Sequence, residues 1–361
     1  MNTATNSTKI TYLGFNNMFK HKRGVENVID FQSRASLSEI NYYIHWDDRT
    51  AVYHYKNFLC IGIKSNIYKF FVLNWFLLRI KKREKSIFIH SHNTLMSLLS
   101  LFRTNLFTVH DALYYQNKTI NHKLKNLFYL LEIFLYKRVK YVHFISNYAK
   151  EMSLYSGNKN DIIIPNTSHL ENYKKTRIPE DNNSIVKFND CSIKVFVVRS
   201  IEERAQIDLL IKVAEEMKHK NEKYEFLIAG KGPLYAYYKQ KIEKLGLKNI
   251  NLLGYVSDSN LIEYYSNCNM VLMPAKYGEG FGLPIIEGYL FDKPVISSNV
   301  CAIPEVIISD DYLFENTVKS VVSKLDFVRT QNKLQYLSYY NVRFSNKVVL
   351  SKMNELYKKL L

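Results

Sequence analysis

The runs Ile193-Lys-Val-Phe-Val-Val198 and Tyr224-Glu-Phe-Leu-Ile-Ala229 are rich in β-branched and aromatic residues, and each predicts a buried strand. Residues 207–217, which lie between them, predict a helix. The alternation continues with predicted helices at 234–245, 260–268 and 283–291 and predicted strands at 250–255, 270–274 and 294–297. Strands that alternate with helices pair in parallel through right-handed crossovers, so this half of the chain predicts an α/β fold with a parallel sheet.

The first half repeats this plan less regularly, with predicted strands at 10–13, 86–89, 106–109, 141–145 and 162–164. The chain has 361 residues, and single cores stop growing at about 250–300 residues. We therefore predict two Rossmann-like domains, residues 1–170 and 191–343, joined by a polar linker at 171–190. Ligands of parallel sheets bind beyond the carboxyl ends of the strands, so two facing domains would enclose the site in a cleft.

Composition excludes several classes of protein. Hydrophobic residues make up 47% of the chain and charged residues 23%, which is typical of a globular protein and not of a disordered one. The four cysteines lie far apart with no C-x-x-C pair, which argues against a zinc site or a disulfide framework and favours a reducing compartment. Residues 1–8 lack the apolar stretch of a secretory signal. The motifs of P-loop nucleotide binding, of zinc proteases and of the serine nucleophile elbow are missing from the sequence.

Charge is distributed unevenly along the chain. The formal net charge is +17, and residues 1–170 contribute 23 basic and 10 acidic side chains, a net of +13. A basic half predicts an anionic partner, which could be nucleic acid, a membrane surface or a phosphorylated ligand. No nucleic-acid-reading module is recognisable, so we do not expect nucleic acid as the partner.

Two hydrophobic segments, 67–80 and 124–135, raise the question of a membrane. Charged residues interrupt both segments before they reach the roughly 20 apolar residues that a spanning helix needs. We favour buried helices for both. The alternative is that their apolar faces, bordered by lysines, lie in the interface of an anionic membrane.

The most informative motif for function is Tyr277-Gly-Glu-Gly-Phe-Gly-Leu-Pro-Ile-Ile-Glu287, which follows a predicted strand. Three glycines allow the backbone to approach a ligand closely, and the proline suits the first turn of a helix. A helix N-terminus offers N–H groups and a positive dipole end to an anion. The carboxylates of Glu279 and Glu287 beside such donors suit a ligand that carries both hydroxyl and phosphate groups.

Other strand ends of the same half add candidate residues. Arg199 follows the first strand, and Arg204 lies five residues later; guanidinium groups there match phosphate oxygens. The alternative for each arginine taken alone is a surface ion pair. Gly230 opens a tight turn after the next strand. Tyr255 and Val256 follow a third strand, where an aromatic side chain and backbone amides could hold a base.

Residues 195–306 resemble the donor-binding domain of the retaining glycosyltransferases of family four, which have the GT-B architecture. The resemblance rests on Val-Val-Arg199, Leu-Ile-Ala-Gly230-Lys-Gly-Pro-Leu, Leu-Gly-Tyr255-Val-Ser-Asp, Glu279-Gly-Phe-Gly-Leu-Pro-Ile-Ile-Glu287 and Lys293-Pro-Val-Ile-Ser-Ser-Asn-Val-Cys-Ala-Ile-Pro-Glu305. Glu279 and Glu287 form the E-x7-E motif of that family. The first half is similar more faintly, through Thr108-Val-His110-Asp111, Phe144-Ile-Ser146 and Ile164-Pro-Asn166. Residues 344–361 resemble the C-terminal helix that crosses back onto the first domain.

The resemblance implies a role for each matching residue. Glu279 would bind hydroxyls of the donor sugar, Glu287 would bind the ribose, and Arg199 and Arg204 would neutralise the departing diphosphate. His110 would face the sugar, and the alternative for this residue is a hydrogen-bonded core histidine. The remaining implied donor-site residues are Gly230, Tyr255, Val256, Gly280, Phe281, Gly282 and Leu283. Gly24 is a weaker candidate for a phosphate or acceptor loop.

We therefore expect a retaining glycosyltransferase that takes a nucleoside-diphosphate sugar and acts on a glycan or lipid-linked glycan in bacterial-type surface polysaccharide biosynthesis. No D-x-D pair is present, so neither a metal nor another cofactor is expected. We expect a cytoplasmic protein, with peripheral contact to the inner face of the plasma membrane through the basic half. The alternative function is a non-catalytic binding partner of another glycosyltransferase. His90 and His92 suggest packing more than metal binding.

Overall fold

The computed structural model describes residues 8–20, 24–110, 112–119, 122–157, 160–175, 192–220, 223–331 and 334–361. These residues form two compact units. The N-terminal unit contains the described residues up to Asn166 together with Lys347–Leu361, and the C-terminal unit contains those from Thr167 to Asn346. Of the predicted linker, residues 171–175 belong to a helix and residues 176–190 lie outside the described residues.

The N-terminal unit is built on a mixed sheet that has eight strands within the described residues. Its strands are β1 (Ile10–Leu13), β2 (Asn41–Asp47), β3 (Ala51–Tyr55), β4 (Phe58–Lys64), β5 (Phe88–Ser91), β6 (Leu106–Val109), β7 (Tyr141–Phe144) and β8 (Asn160–Ile163). Their order is β3-β4-β2-β1-β5-β6-β7-β8, and β3 is antiparallel to β4 while the other neighbours pair in parallel. The direction of strand addition reverses between β1 and β5, which is where such sheets bind ligands.

The helices of this unit are α1 (Gly24–Ser33), α2 (Lys69–Glu84), α3 (Thr94–Leu99), α4 (Leu113–Thr119), α5 (Lys125–Arg138) and α6 (Asn147–Glu151). Helices α2 and α5 correspond to the two hydrophobic segments. Each buries only one face: α2 buries Leu73, Leu77 and Ile80 but exposes Phe71, Trp75 and Leu78, and α5 buries Leu135 and Tyr136 but exposes other apolar side chains. The interpretation of both segments as buried helices is therefore right for one face and wrong for the other. No helix within the described ranges is long and apolar enough to cross a membrane.

The C-terminal unit contains a sheet of six parallel strands among the residues described. They are β9 (Ile193–Val198), β10 (Tyr224–Ala229), β11 (Ile250–Gly254), β12 (Met270–Met273), β13 (Val295–Ser298) and β14 (Leu313–Phe314), in the order β11-β10-β9-β12-β13-β14. Strand addition reverses between β9 and β12. The helices are α7 (Leu170–Lys175), α8 (Ile207–His219), α9 (Tyr235–Lys244), α10 (Asp258–Asn267), α11 (Leu283–Leu290), α12 (Ile303–Val306), α13 (Val318–Thr330) and α14 (Tyr336–Arg343).

The last helix, α15 (Asn346–Leu360), returns to the N-terminal unit. Its buried side chains, Val349, Met353, Leu356 and Tyr357, belong to the same core cluster as residues of β1, β4 and β5. This packing confirms the expected C-terminal helix that crosses back to the first domain.

A chain of buried hydrogen bonds connects α15 to the sheet. The carbonyl of Ile164 can only accept, so His143 must donate from Nε2 (2.9 Å) and accept at Nδ1 from the hydroxyl of Thr108 (2.9 Å). The Thr108 oxygen then accepts from His90 Nε2 (2.7 Å), and His90 Nδ1 accepts from the hydroxyl of Tyr357 (2.8 Å). Tyr357 is in turn bonded to Tyr12 (2.8 Å). One carbonyl thus sets both histidine tautomers, and both rings are neutral.

We predict that acid destabilises this unit before most carboxylates titrate. Burial lowers the pKa of His143 to about 4 and the pKa of His90 well below its usual range. Below about pH 6.5, the ordinary pKa of histidine, the unfolded chain therefore binds more protons than the folded one. The free energy of unfolding falls as pH decreases from that value. Each buried histidine should contribute about 1.4 kcal/mol per pH unit.

Urea unfolding between pH 7.5 and 5 measures this loss. The variant His143→Gln should flatten the pH dependence, whereas His219→Gln, which changes an exposed histidine, should keep the wild-type slope. A wild-type midpoint that stays constant down to pH 5 would contradict the neutral assignment.

Candidate functional site

The predicted donor-site residues converge where the strand order of the C-terminal sheet reverses. Arg199 directly follows β9, and residues 274–282 connect β12 to α11. Because β9 and β12 are neighbours in the sheet, the two loops start from the same edge. The structure thus brings together Arg199, Arg204 and Glu279, which lie up to 80 residues apart in the chain.

The centre of this site is an ion pair. Arg199 donates from Nη1 to Glu279 Oε2 at 2.6 Å, and Arg204 Nη1 lies 3.8 Å from the same oxygen. Arg204 also donates to the carbonyl of Gly278 (2.8 Å) and, from Nε, to Glu202 (2.8 Å). Arg199 is only 8% exposed, and its Nε has no hydrogen-bond partner in the described part of the chain. Arg199 and Arg204 thus both face Glu279, and Arg204 is also paired with Glu202.

Helix α11 begins next to this pair. Gly282 at its N-cap has φ = +95°, a conformation that favours glycine, and no side chain caps the helix. The positive end of the helix dipole therefore points toward the residues predicted to hold sugar and phosphate oxygens, Gly280, Phe281, Gly282 and Leu283. The side chain of Phe281 is buried against Phe344, with ring centroids 5.9 Å apart, so only its backbone is suited to bind a ligand.

Glu287 lies one turn into α11 and is 5% exposed. Tyr265 donates its hydroxyl to Oε2 (2.7 Å), and Ser168 donates to Oε1 (3.4 Å). Burial raises the pKa of Glu287, and nearby His169 opposes that rise. The sequence pattern identified Glu287 but missed Ser168 and Tyr265, because those positions become neighbours of the carboxylate only in the folded unit. The binding of a ribose by Glu287 stays a prediction.

Gly230 has a structural reason to be glycine. Its φ is +143°, its N–H donates to the carbonyl of Gly254 (2.7 Å), and a Cβ placed on it would lie 1.8 Å from the carbonyl oxygen of Arg199. Because it lacks a Cβ, Gly230 lets the backbone after β10 pass close to Arg199 and bond to the end of β11. This packing role is separate from the predicted contact between Gly230 and a donor, which stays a prediction.

The predicted base-binding segment follows β11. The side chain of Tyr255 is 74% exposed, and Val256 is half-buried. Next to them Asp258 accepts from His169 Nε2 at 3.1 Å. Sequence reasoning included Asp258 only as the end of a motif and missed His169 altogether.

His110 lies in the N-terminal unit at the end of β6 and pairs with His92, which follows β5. The distance from His110 Nε2 to His92 Nδ1 is 2.9 Å, and the two rings stack at 5.2 Å. Burial holds the pKa of His110 at about 3 and the pKa of His92 well below its usual range, so both rings are neutral near pH 7. His92 is buried, and its Nε2 has no partner within the described ranges. His92 was expected only to pack, and its contact with His110 was missed.

Both histidines line a cavity of about 200 Å³ at the carboxyl ends of the strands, together with Phe15, Glu132 and Tyr136 among others. Asp111, which the resemblance placed beside His110, lies outside the described residues. The other predicted loop residue, Gly24, starts α1 in open space with nothing within 4 Å of a Cβ. Close packing therefore does not require glycine there, and its phosphate contact stays a prediction.

Within the described ranges, no three or more His, Cys, Asp or Glu side chains are grouped so that they could hold a metal ion. The acidic groups of the site are instead paired with arginine or with hydroxyls, as described above.

Comparison with known proteins confirms the resemblance. Residues 180–342 match the family model "Glycosyl transferases group 1". A protein of Klebsiella pneumoniae described as an uncharacterized 41.2 kDa protein in the cps region is 31% identical over 188 residues, which cover 51% of this chain and 49% of that protein. The GPI3 subunit of phosphatidylinositol N-acetylglucosaminyltransferase from Saccharomyces cerevisiae is 26% identical over 312 residues, 80% of this chain and 66% of that protein. The chain thus spans less than two thirds of the length of these curated relatives.

The fold comparison covers both units. A sucrose-phosphate synthase from Thermosynechococcus elongatus superposes with a TM-score of 0.77 over 98% of this chain and 99% of that one, at 14% identity. At this identity the similarity shows the fold alone. It confirms the predicted α/β class, with two sheets whose strands pair mainly in parallel, and the GT-B architecture.

We predict that Gly230→Ala destabilises the C-terminal unit more than Gly246→Ala. Both glycines have positive φ, but a Cβ on Gly246 meets open space. The control should lose about 1–2 kcal/mol from backbone strain. Gly230→Ala should lose about 1–3 kcal/mol more, because the carbonyl of Arg199 must move. Urea unfolding of the two variants measures the difference, and equal losses would rule out the packing role of Gly230.

Proposed function

We propose that this chain, which resembles the group 1 glycosyltransferases over residues 180–342 and has the GT-B fold, transfers a sugar from a nucleoside-diphosphate sugar to a glycan or a lipid-linked glycan. We infer retention of the anomeric configuration and independence from metal. The observation that carries the proposal is the pairing of Glu279 with Arg199 and Arg204 beside the N-terminus of α11.

The arrangement suits stabilisation of a leaving diphosphate. Breaking the bond between sugar and phosphate leaves negative charge on the phosphate oxygens. Arg199 and Arg204 supply positive charge that the surrounding loops already hold in position, and the dipole of α11 adds to it. Groups oriented in advance stabilise such a transition state without having to reorganise. This is the role that a metal ion would otherwise fill, which is why we propose metal-independent transfer.

Glu279 acquires its role when the donor binds. A diphosphate competes for the guanidinium groups that Glu279 holds in the described structure. Once these groups turn to phosphate, the carboxylate can accept hydrogen bonds from sugar hydroxyls. Glu287, supported by Tyr265 and Ser168, would accept from the ribose in the same way, and Tyr255 and Val256 would border the base.

We assign His110 to contact with the sugar. Its ring is neutral because burial lowers its pKa to about 3, so it can accept a hydrogen bond from a hydroxyl near pH 7 without adding positive charge. His92 would keep the ring oriented through the bond between the two imidazoles.

For the pathway we propose surface polysaccharide biosynthesis of the bacterial type, such as lipopolysaccharide, capsule or exopolysaccharide. The relative in a cps region supports this class. The relative whose name includes phosphatidylinositol supports an acceptor on a lipid. A lipid-linked acceptor fits a cytoplasmic protein in peripheral contact with the inner face of the plasma membrane through its basic N-terminal half.

We predict that Glu279→Gln abolishes transfer and keeps nucleotide binding. The amide retains the size of the side chain but loses the negative charge that pairs with the arginines and accepts hydrogen bonds from the sugar hydroxyls. Release of nucleoside diphosphate, measured with the best donor of a nucleotide-sugar panel, should fall about 100-fold or more. Binding of the free nucleoside diphosphate should persist, because Arg199 no longer has a competing carboxylate.

Glu243→Gln on the exposed side of α9 is the matched control and should keep wild-type activity. Wild-type turnover by Glu279→Gln would refute its role. If the wild-type chain binds a nucleoside diphosphate but releases none from any donor, the non-catalytic alternative replaces the proposal.

We predict that a chelator leaves the rate unchanged, because arginine side chains and a helix dipole provide the positive charge. The assay compares nucleoside diphosphate release before and after treatment with EDTA and gel filtration. Loss of activity that Mg²⁺ or Mn²⁺ restores would overturn the metal-independent mechanism.

A further inference from the structure

Helix α2 carries an apolar stripe on its exposed side. Tyr68, Phe71, Trp75 and Leu78 recur at spacings of three and four residues and are all exposed, with Phe71 at 77%. This spacing places them on one face, opposite the buried side chains of the same helix. A single exposed leucine needs no explanation, but a stripe of three aromatic residues and a leucine indicates an interaction surface.

The stripe continues onto two neighbouring helices. Asn74 of α2 donates to the carbonyl of Leu99 (2.9 Å) and accepts from the N–H of Leu101 (2.6 Å), which fixes the end of α3 beside α2. Helix α3 also contacts α5. Helix α3 exposes Leu99, the segment after it exposes Leu101, and α5 exposes Leu127, Leu130 and Phe134. We call these residues, with the four of α2, the three-helix apolar surface.

The charges around this surface are of one sign. The basic residues in and next to α2 and α5 are Lys69, Arg79, Lys81, Lys82, Arg83, Lys85, Lys123, Lys125, Lys137, Arg138 and Lys140. Segments 67–85 and 123–140 contain only two acidic residues. Glu84 is paired with Lys9 at 3.0 Å, and Glu132 is buried and accepts backbone N–H groups of Tyr114 and Leu154. Glu84 also lies 3.7 Å from Arg83 Nε, but the two segments stay strongly positive, with eleven basic residues against two acidic ones.

We propose that the three-helix apolar surface inserts into the headgroup region of an anionic lipid bilayer, with the basic residues around it bound to lipid phosphates. This inference rests on the proposed function, which supplies a lipid-linked acceptor, and it deepens that function by naming the surface and its mode of binding. Stable membrane contact needs two signals, and this surface has both, apolar area and positive charge. Tryptophan, tyrosine and arginine side chains suit the interface, and the guanidinium of Arg79 stacks 4.0 Å from the ring of Trp75.

Charge complementarity favours lipid over a second copy of the chain. Two such surfaces brought face to face would oppose positive borders, which repel each other. An anionic bilayer provides hydrocarbon for the apolar stripe and negative charge for its border at the same time. An acidic protein partner is the remaining occupant, and the experiments below distinguish it.

The first test is sedimentation of the full chain with vesicles of phosphatidylcholine alone or mixed with phosphatidylglycerol. We expect binding to the mixed vesicles that weakens with salt. The variant Phe71→Glu/Leu78→Glu should reduce partitioning about tenfold or more, because it places charge in the stripe. The matched control Tyr237→Glu/Val342→Glu changes two exposed apolar residues of the C-terminal unit and should bind like wild type. Equal vesicle binding by both double variants would overturn the proposal.

The second test uses the two tryptophans of the chain as reporters. Trp46 is packed against Phe70, whereas Trp75 lies in the stripe. In a Trp46→Phe variant, the emission of Trp75 should shift to shorter wavelength on mixed vesicles and be quenched by lipids with brominated acyl chains. Binding without quenching would mean purely electrostatic contact and would overturn insertion. Lipid-independent dimers, or no vesicle binding at all, would overturn the lipid assignment in favour of a protein occupant.

Failure of this inference can be separated from failure of the proposed function. Nucleoside diphosphate release by Phe71→Glu/Leu78→Glu on a donor without vesicles should equal that of wild type, and Glu279→Gln should still bind mixed vesicles. If the chain binds vesicles but releases no nucleoside diphosphate from any donor, only the proposed function is contradicted. If it releases nucleoside diphosphate but does not bind vesicles, only the proposed membrane insertion of the three-helix apolar surface is contradicted.

Discussion

The ion pair between Arg199 and Glu279 joins the two halves of the C-terminal sheet where its strand order reverses. Backbone hydrogen bonds fix both residues: the N–H of Arg199 donates to the carbonyl of Ala229 (3.0 Å), and the carbonyl of Glu279 accepts from the N–H of Ala302 (3.2 Å). Two loops from neighbouring strands therefore present opposite charges to each other at the start of a helix. The geometry places two guanidinium groups beside one carboxylate that a competing anion can displace, and the functional assignment depends on that combination.

The N-terminal unit is organised by a different constraint. The carbonyl of Ile164 fixes the tautomer of His143, and the order of donors and acceptors then passes through Thr108 and His90 to Tyr357 of the last helix. Because each of these groups is buried, this series of hydrogen bonds is stable only while both imidazoles are neutral. The same burial keeps His92 and His110 neutral beside the cavity. Helix docking and the chemistry available to this cavity thus share one physical cause.

Sequence reasoning succeeded where periodicity was strong. Strands β9 and β10 were predicted at their exact limits, because each is a short apolar run followed by a helix with a clear buried face. It missed β2, β3 and β4. The hairpin of β3 and β4 turns at Lys56-Asn57, which lacks the glycine typical of two-residue turns. It also predicted burial for α2, whose apolar residues lie on both sides of the helix, and composition could not tell which side the core would cover.

The sequence by itself determined the alternation of strands and helices, the glycine-rich turn with its two acids, and the positive charge of the first half, because these depend on local patterns and on residue counts. Only the tertiary structure decided that Glu279 pairs with arginines far away in the chain, that Tyr265 and Ser168 hold Glu287, and that His92 meets His110. Such contacts depend on which strand ends become neighbours and on which groups lose water. Strand order and burial are properties of the folded chain, and no local pattern encodes them.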